Sequence, residues 1–372
     1  RSANPRPLPA LAQAVDALDA RLAGVDTSGE EQLVQRRVTF LRAQLNAART
    51  RLRMLQGEKL SFRAESLGLF GATPDIQPLA SYDPVLAQIE TLLPGEGTLA
   101  ARVDAFQDRF VIQANRLKPV FDRAIAECRA RTARYILLPR GETFRMEFVT
   151  GKPWSGYNYY QGKLTSLIQI NTDLPIRISR AVDLGCHEGY PGHHSLNYSL
   201  EQTLMRGRGW MEYSVYPLYS PQSLIAEGSA NYGIELAFPG GDKLAFEKAV
   251  LYPLAGLNSA DAERLAQLQA ALAGLQGARF TIAQAYLDGE VTRDQAIVLA
   301  QKYQLLSEAR ARQSIGFTDV YRSYVINYGL GLDMVRAHVE AAGSDAASRW
   351  AAMERVISEP TLPADLVVRS SR

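Results

Sequence analysis

The sequence predicts a mainly helical protein with one small β-sheet. Long stretches in the first third and the last half repeat apolar residues at helical spacing. Between them, over residues 135–171, short segments alternate as strands do. No linker separates independent halves, so we expect one compact unit. Within it we distinguish an N-terminal helical region, residues 1–134, from a region that carries the sheet and the chemistry, residues 135–372.

Composition limits the possible partners. A chain of 372 residues, 47% of them hydrophobic, can bury a sizeable core. Its 41 basic and 39 acidic residues leave a net charge of only +2, which does not indicate binding to nucleic acid or to an anionic membrane. No apolar run approaches the ~18 residues of a transmembrane helix. We therefore expect neither a nucleic-acid partner nor a transmembrane segment, and the sequence leaves the oligomeric state open.

The N-terminal region is predicted to consist of helices and to contain few candidate functional residues. Apolar spacing predicts helices over residues 10–23 and 30–56, shorter pieces over 57–98, and two helices over 99–134 that meet near Lys118-Pro119. The second helix has a row of arginines, which we interpret as a solvated face because acidic residues flank it and few aromatic residues interleave. These arginines are Arg36, Arg37, Arg42, Arg49, Arg51 and Arg53.

Strands are predicted directly before the histidine-rich stretch of the chain. Residues 144–148 alternate, and residues 157–162 and 164–171 form two more strands joined tightly through Gly162-Lys163. A helix beginning at Ile178–Gly185 follows. The remaining chain is predicted to be helical, with these interruptions: Pro217–Pro221, Pro239–Gly241, Asn258-Ser259, Gly289 and Gly316.

The two cysteines and the first residues bear on the compartment. We expect Cys128 and Cys186 to be buried thiols, with one disulfide between them as the alternative. The chain begins at Arg1, not Met, and its Pro-rich opening is compatible with a cleaved export signal upstream. We therefore expect a periplasmic or secreted protein, and a cytoplasmic one is the alternative.

The chemistry concentrates in residues 186–194, CHEGYPGHH. Three of the four histidines, His187, His193 and His194, fall in this stretch, and Glu188 follows the first. Neutral imidazole is the commonest protein ligand for zinc, and a neighbouring carboxylate can act as a general base. The stretch therefore predicts a metal site. His338 lies far from it in sequence and is expected to have a surface or structural role.

The spacing departs from the metallopeptidase motif His-Glu-x-x-His, in which ligands at i and i+4 share one helix face. Here the i+4 position is Pro191, which cannot coordinate a metal and removes a helical hydrogen bond. A break at Pro191-Gly192 would bring His193 to the place usually held by i+4. On ideal geometry alone, His193 and His194 remain equal candidates for the second ligand.

Several segments resemble a bacterial family catalogued as domain of unknown function 885. Residues 187–194 resemble its signature His-Glu-x-x-Pro-Gly-His, which a second His often follows. Trp154–Gly162 with Ile170–Asp173 resemble its strand region, Ala226–Ala230 its Glu-Gly-x-Ala element, and Asn327–Gly331 its late Ser-Tyr-x-x-Gly segment. The match spans about residues 140 to 340. The chain is shorter than is usual for the family, and Ser229 stands where the family commonly has Trp.

The resemblance implies relationship to gluzincin zinc metallopeptidases, and so a helical zincin-like architecture with a small sheet beside the active-site helix. It favours His193 over His194 and points to Glu227 as the third ligand. Glu201, Glu212 and Glu235 are the other downstream carboxylates. Glu227 also has small, apolar neighbours, an unusual place for an unpaired charge. We expect Glu201 and Glu212 to be solvated surface residues.

Two further roles follow for the substrate side. Glu188 would activate a water at the metal, and Tyr328 would stabilise the oxyanion, with Tyr324 and Arg322 as the next candidates. The strand pair Tyr157–Asn171 could hold an extended substrate at its edge. An ordinary core hairpin explains that strand pair equally well.

The predicted function is therefore a zinc-dependent metallopeptidase that hydrolyses peptide bonds. Its metal ligands would be His187, His193 and Glu227, its partner a peptide or small amide substrate, and its cofactor Zn²⁺. One alternative is a zinc hydrolase of a non-peptide amide or ester, because a ligand set does not determine the substrate. Another is a metallo-fold that binds peptides without cleaving them. The sequence does not distinguish endopeptidase from exopeptidase.

Overall fold

Helices make up most of the protein, as the sequence predicts. The computed structural model of the chain describes residues 5–367. The α-helices are α1 Leu8–Ala23, α2 Gln32–Leu55, α3 Phe62–Phe70, α4 Asp83–Leu92, α5 Leu99–Asp108, α6 Ala114–Thr132, α7 Ser179–Glu188, α8 His193–Leu200, α9 Pro221–Ala237, α10 Asp242–Phe246, α11 Tyr252–Ala255, α12 Ala262–Ala273, α13 Gln276–Leu287, α14 Arg293–Tyr303, α15 Glu308–Tyr321, α16 Ile326–Glu340 and α17 Ala346–Ser358. Two π-helical segments, Glu201–Arg206 and Glu247–Leu251, continue α8 and α10.

The predicted strands form one three-stranded sheet. Its strands are β1 Thr143–Val149, β2 Gly156–Tyr160 and β3 Thr165–Asn171, in the spatial order β1-β3-β2. β3 runs parallel to β1 and antiparallel to β2. Every second residue of β3 is fully buried, which is the alternation that predicts a half-buried strand. β2 is an edge strand, and it contacts α7 and α8.

The predicted helix break near Pro119 is wrong. α5 ends at Asp108 and α6 runs through Pro119 without interruption. The chain leaves the helix earlier because residues 110–112 pair with another segment: Ile112 N–H donates to the carbonyl of Ile176 at 2.9 Å, and Ile178 N–H donates to Phe110 at 2.8 Å. Pro119 lies in the second turn of α6, where its missing N–H costs one hydrogen bond.

Gly316 does not interrupt a helix either. It lies inside α15, and the breaks fall before that helix and at Arg322, whose φ is +55°. One glycine in a helix costs only about 1 kcal/mol. The burial of its neighbours Ile315 and Phe317 offsets that cost.

The core joins both predicted regions. Buried apolar residues from Phe62 to Leu366 belong to one contiguous cluster. At its centre α9 crosses α16 so closely that a Cβ on Gly228 would lie 2.3 Å from the carbonyl oxygen of Gly331. The boundary expected at residue 134 stays a prediction, but core residues on both sides of it pack together.

Four of the six arginines of α2 are paired with acidic side chains, and Arg42 and Arg51 are not. Arg37 lies 2.6 Å from Glu212, and Arg49 lies 3.0 Å from both Asp16 and Asp19. Arg36 pairs with Glu359 and Arg53 with Glu58. Such pairs at the surface contribute little stability, and they leave no continuous basic patch along this helix.

The expectation of two free thiols is wrong. Cys128 on α6 and Cys186 on α7 are both buried, and a disulfide joins them with their Cα atoms 5.4 Å apart. That separation is ordinary for a disulfide. The sequence could not give it, because the two cysteines are 58 residues apart and meet only where α6 packs against α7.

Arg1 and the residues to position 4, on which the export-signal interpretation depends, lie outside the described residues, as do residues 368–372. Within residues 5–367, no helix combines the length and the apolar character that crossing a membrane requires.

Candidate metal centre

The histidine motif lies across a break between two helices, as the proline and glycine predict. α7 ends at Glu188 and α8 begins at His193, and the Tyr190–Pro191 peptide bond is cis. The N–H of Gly192 donates to the carbonyl of Cys186 at 3.1 Å. A Cβ on Gly192 would lie 1.9 Å from the carbonyl oxygen of His187, so only glycine fits there.

The break brings His193 back beside His187, and α9 supplies the carboxylate. One nitrogen or oxygen atom from each of His187, His193 and Glu227 lies within 4.8 Å of the others. Nε2 of His187 is 3.2 Å from Oε2 of Glu227, and Nε2 of His193 is 3.7 Å from Oε1. These are the three residues that the sequence and the resemblance predict as ligands.

Asn231 determines which nitrogen of His187 carries the proton. Its Nδ2 donates to the carbonyl of Tyr328 at 3.0 Å, so its Oδ1 faces Nδ1 of His187 at 3.0 Å. An amide oxygen only accepts, and Nδ1 must therefore be the donor. In the neutral imidazole, Nε2 then presents a lone pair toward Glu227.

That arrangement leaves two acceptors facing each other. Oε2 of Glu227 is buried without a hydrogen-bond partner, and the lone pair on Nε2 of His187 points to it from 3.2 Å. Such a contact is unfavourable unless a cation lies between the atoms or Nε2 itself carries a proton. Burial by itself would lower the pKa of His187, but the neighbouring carboxylates Glu227 and Glu188 raise it overall. The pocket therefore stabilises positive charge.

Glu188 lies beside this cluster, next to β2. Its Oε1 is so close to the sheet that a Cβ on Gly156 would lie 2.7 Å from it, and the side chain of Asn158 donates to its backbone carbonyl at 2.7 Å. Its Oε2 is buried and has no partner. Burial raises the pKa of Glu188 to about 7, and the charge of Glu227 adds to that shift.

The donor set fits a zinc ion. Two imidazoles and one carboxylate are a known set of protein ligands for catalytic zinc, with a fourth position open. Burial lowers the pKa of His193 to about 4, which keeps it neutral as a ligand must be. The partnerless carboxylate oxygens of Glu188 and Glu227 agree with a cation between these side chains.

His194 points away from the cluster. It is fully buried, with Nε2 3.1 Å from Oε2 of Glu142 and Nδ1 2.7 Å from the hydroxyl of Ser166. Glu142 also accepts hydrogen bonds from Tyr190 and pairs with Arg129. The choice that ideal helix geometry left open is thus resolved in space: His193 is in the cluster and His194 is in a separate polar network.

Glu201 is not a solvated surface residue, contrary to expectation. It is 4% exposed, and its carboxylate binds the Tyr160 hydroxyl, the N–H of Lys163 and Arg206. This contact holds the β2–β3 turn against the π-helical segment that follows α8. The partners come from the sheet, so the polar sequence around Glu201 did not indicate them. Glu212 pairs with Arg37 on the surface of the protein.

Three side chains were candidates to stabilise an oxyanion, and they differ in their contacts. Tyr324 donates its hydroxyl to Oε1 of Glu227 at 2.8 Å. Arg322 pairs with buried Glu65 at 2.7 Å. Tyr328 packs against His187, ring centroids 6.4 Å apart, and is partly exposed. Of the three, only Tyr328 has no hydrogen bond or ion pair from its polar group to another side chain among the described residues.

Some contributing residues were missed by sequence reasoning. Asn231 carried a signal, because it lies four residues after Glu227 and thus on the same face of α9. Glu142 and Ser166 carried none, because they reach His194 only through the fold of the sheet. Tyr324 was considered for the oxyanion, and its contact with Glu227 was not foreseen.

Comparison with known proteins gives a likeness of fold. No protein-family model matches the chain, and no curated protein matches it in sequence. The crystal structure of a protein described as "the putative lipoprotein from Colwellia psychrerythraea" is similar, with a TM-score of 0.54 and 17% sequence identity. The similarity covers 92% of this chain and 65% of that one, so the chain spans about two thirds of that protein's length. At this identity, the similarity concerns the fold alone.

Proposed function

We propose that this protein is a zinc-dependent hydrolase that cleaves peptide bonds. One observation carries the proposal: Nε2 of His187 and a partnerless oxygen of Glu227 face each other across a buried pocket that His193 completes. Glu188 supports a hydrolytic role, because a site that only holds a metal has no need of a second carboxylate beside it.

His187, His193 and Glu227 would hold the metal. When bound, zinc would polarise the scissile carbonyl and lower the pKa of a water molecule, so that this water can lose a proton and attack the carbonyl at neutral pH. Glu188 would take the proton from that water, and its raised pKa of about 7 suits both accepting and returning a proton. Glu188 would then deliver the proton to the leaving amine nitrogen. The Tyr328 hydroxyl would donate to the developing oxyanion.

The substrate would lie along the outer edge of β2. This edge strand runs past Glu188, and its aromatic residue Tyr157 is only partly buried. Burial raises the pKa of Tyr157 to about 12, and the charges of Glu227 and Glu188 contribute, as expected if its hydroxyl faces the same space. An extended peptide could add to this edge by backbone hydrogen bonds.

Architecture and compartment are part of the proposal. A zincin-like arrangement, with a sheet edge beside the motif helix, and the resemblance to domain of unknown function 885 agree with the ligand set. For the compartment, the Cys128–Cys186 disulfide favours an oxidising environment outside the cytoplasm. The lipoprotein description of the structural neighbour agrees with that compartment.

A mixed peptide library analysed by mass spectrometry tests the proposal. We expect zinc-loaded protein to cleave defined bonds and the Glu188→Gln variant to cleave none of them measurably. Chelation should abolish cleavage, and added zinc should restore it. If zinc-loaded protein cleaves no peptide but hydrolyses small amides or esters, its substrates belong to that class and not to peptides. Zinc binding without any turnover would leave only a binding role.

A further inference from the structure

Arg279 is a cation near the candidate metal centre without a counter-ion. It lies in the first half of α13, and its guanidinium carbon is 5.3 Å from the ring centroid of Phe317 and 5.4 Å from that of Tyr328. Its Nε is buried and has no hydrogen-bond partner among the described residues. Two aromatic faces therefore hold this guanidinium, and no carboxylate does.

Two other partly buried arginines of the protein are paired with acids. Arg177 is bound by Asp104 and Asp108, and Arg322 is bound by Glu65. Burial lowers the pKa of Arg279, and the acidic groups that oppose this shift, Tyr328 and Glu227, are not hydrogen-bonded to it. A cation in this position costs free energy that an incoming anion would recover.

An anion bound to Arg279 would lie near the candidate metal centre. Tyr328 contacts both groups: its ring centroid is 5.4 Å from the guanidinium carbon of Arg279 and 6.4 Å from the ring centroid of His187, so the two groups are at most about 12 Å apart. An extended peptide advances about 3.5 Å per residue. A carboxylate on Arg279 would thus lie within about three residues of a carbonyl held beside His187.

We propose that Arg279 binds the C-terminal carboxylate of the substrate, so that the enzyme releases up to about three residues from the C-terminus of peptides. This inference rests on the proposed peptidase function and names its substrate class. The guanidinium fork matches a carboxylate with two parallel hydrogen bonds. In the reaction, the scissile C–N bond breaks, the carbonyl carbon gains the oxygen of water, and the released amine gains a proton.

The test uses peptides that differ only at their C-terminus. Three N-acetylated peptides share a cleavable neutral sequence: one ends in a free carboxylate, one in an amide, and one in an amide with a glutamate as its last residue. Cleavage is measured with wild type, Arg279→Gln, Arg279→Lys and Arg51→Gln. Arg51 is the matched control, a half-buried arginine 4.3 Å from the ring of Tyr219 that lines a separate apolar cavity of about 760 Å³.

Binding to zinc-loaded Glu188→Gln protein, measured by calorimetry, gives a second readout that needs no turnover. We expect the free-acid peptide to bind and react about 10- to 100-fold better than its amide, the range for a lost charge-assisted hydrogen bond. Arg279→Gln should remove this preference by weakening the acid alone, Arg279→Lys should retain part of it, and Arg51→Gln should retain all of it.

Three results would overturn the assignment. The first is equal binding and cleavage of acid and amide peptides by wild type. The second is an equal loss for both peptides in Arg279→Gln, which is the effect expected of a structural residue. The third is a preference for the amidated glutamate peptide, which would mean that Arg279 binds an acidic side chain instead. If acid peptides bind in an Arg279-dependent manner but zinc-loaded wild type cleaves none, the carboxylate site is supported and the peptidase proposal fails. The two proposals can therefore fail separately.

Discussion

Two histidines that are adjacent in the chain enter two polar clusters of opposite character. His193 joins His187 around Glu227, and His194 joins Tyr190 and Arg129 around Glu142. Each cluster has one central carboxylate with imidazole beside it. In the second, the protein supplies the positive charge itself, through Arg129. In the first, no lysine or arginine among the described residues contacts Glu227, and one of its oxygens has no hydrogen-bond donor when His187 is neutral.

The difference shows that residue type alone does not identify a metal site. A carboxylate whose hydrogen bonds are complete and whose charge is already balanced stabilises the fold. One whose geometry demands a further cation can bind a ligand. The Pro191-Gly192 break sends the two neighbouring imidazoles in different directions and so separates the two functions.

The two clusters should differ most in their effect on zinc content. We expect about one zinc per chain in wild type, since three protein ligands define a catalytic site. His187→Ala and His193→Ala should weaken zinc binding by more than about 100-fold, because they remove direct ligands rather than supporting residues. His194→Ala should keep its zinc, because His194 lies in the Glu142 network. Elemental analysis with circular dichroism as a folding control measures this, and equal zinc loss in His193→Ala and His194→Ala would contradict the separation.

Replacing the carboxylates separates chemistry from stability. Glu188→Gln should retain zinc and fold but lose turnover by at least about 100-fold, the effect of a missing general base. Glu142→Gln, in the other cluster, should retain far more turnover than Glu188→Gln. Steady-state kinetics on the best library peptide, together with zinc content, tests both. Loss of zinc from Glu188→Gln would mean that Glu188 is a ligand and not the base.

Acid should weaken the second cluster in a defined pH range. Burial by itself would raise the pKa of Glu142, but hydrogen bonds from His194, Tyr190 and Arg129 lower it to about 2 from an ordinary value of 4.5. The ionised Glu142 therefore adds stability above about pH 4.5, and this contribution disappears as the pH falls toward 2. It amounts to at most about 3 kcal/mol in the free energy of unfolding.

Urea unfolding of metal-free protein at several pH values measures this contribution. Glu142→Gln should be less stable than wild type at pH 7, and the difference should shrink as the pH falls from 5 to 3. Tyr198, which also faces Glu142, stays protonated over this range because burial raises its pKa to about 12. Glu147→Gln on the exposed side of β1 is the matched control and should follow wild type. A constant difference at all pH values would indicate lost packing instead of lost charge.

The smallest expected effect concerns the support of a ligand. Asn231→Ala removes the acceptor that fixes the His187 ring, and supporting residues of this kind change metal affinity by about 10- to 100-fold. Asn158→Ala is the control, because Asn158 contacts only the backbone of Glu188. Competition with a zinc chelator measures both variants. An unchanged zinc affinity in Asn231→Ala would show that the hydrogen bond between Asn231 and Nδ1 of His187 does not support metal binding.

Local signals predicted the helices, the three strands and the histidine-rich stretch of the metal cluster. The stretch stood out because its histidines are concentrated in nine residues. The choice of His193 over His194 came from the family resemblance, and Glu227 was indicated by that resemblance together with its apolar surroundings. Most partners of Glu142, Glu201 and Cys128 could not be predicted. These partners, Tyr190, His194, Tyr160 and Cys186, lie 41 to 58 residues away in sequence and meet them only through packing. The helix breaks predicted at Pro119 and Gly316 are wrong for a related reason. Both residues disfavour helix locally, but tertiary contacts determine where the helices end.

The disulfide makes one closed covalent ring of residues 128–186, and the ring holds more than two packed helices. Glu142, all three strands and Gly156 lie within it, and its closing residue, Cys186, directly precedes His187. A protease that cut the ring at an accessible point, such as Leu137, which is 89% exposed, would therefore release neither fragment. Under oxidising conditions, the sheet that flanks Glu188 would stay tethered to the helix that carries His187 after the backbone had been cut.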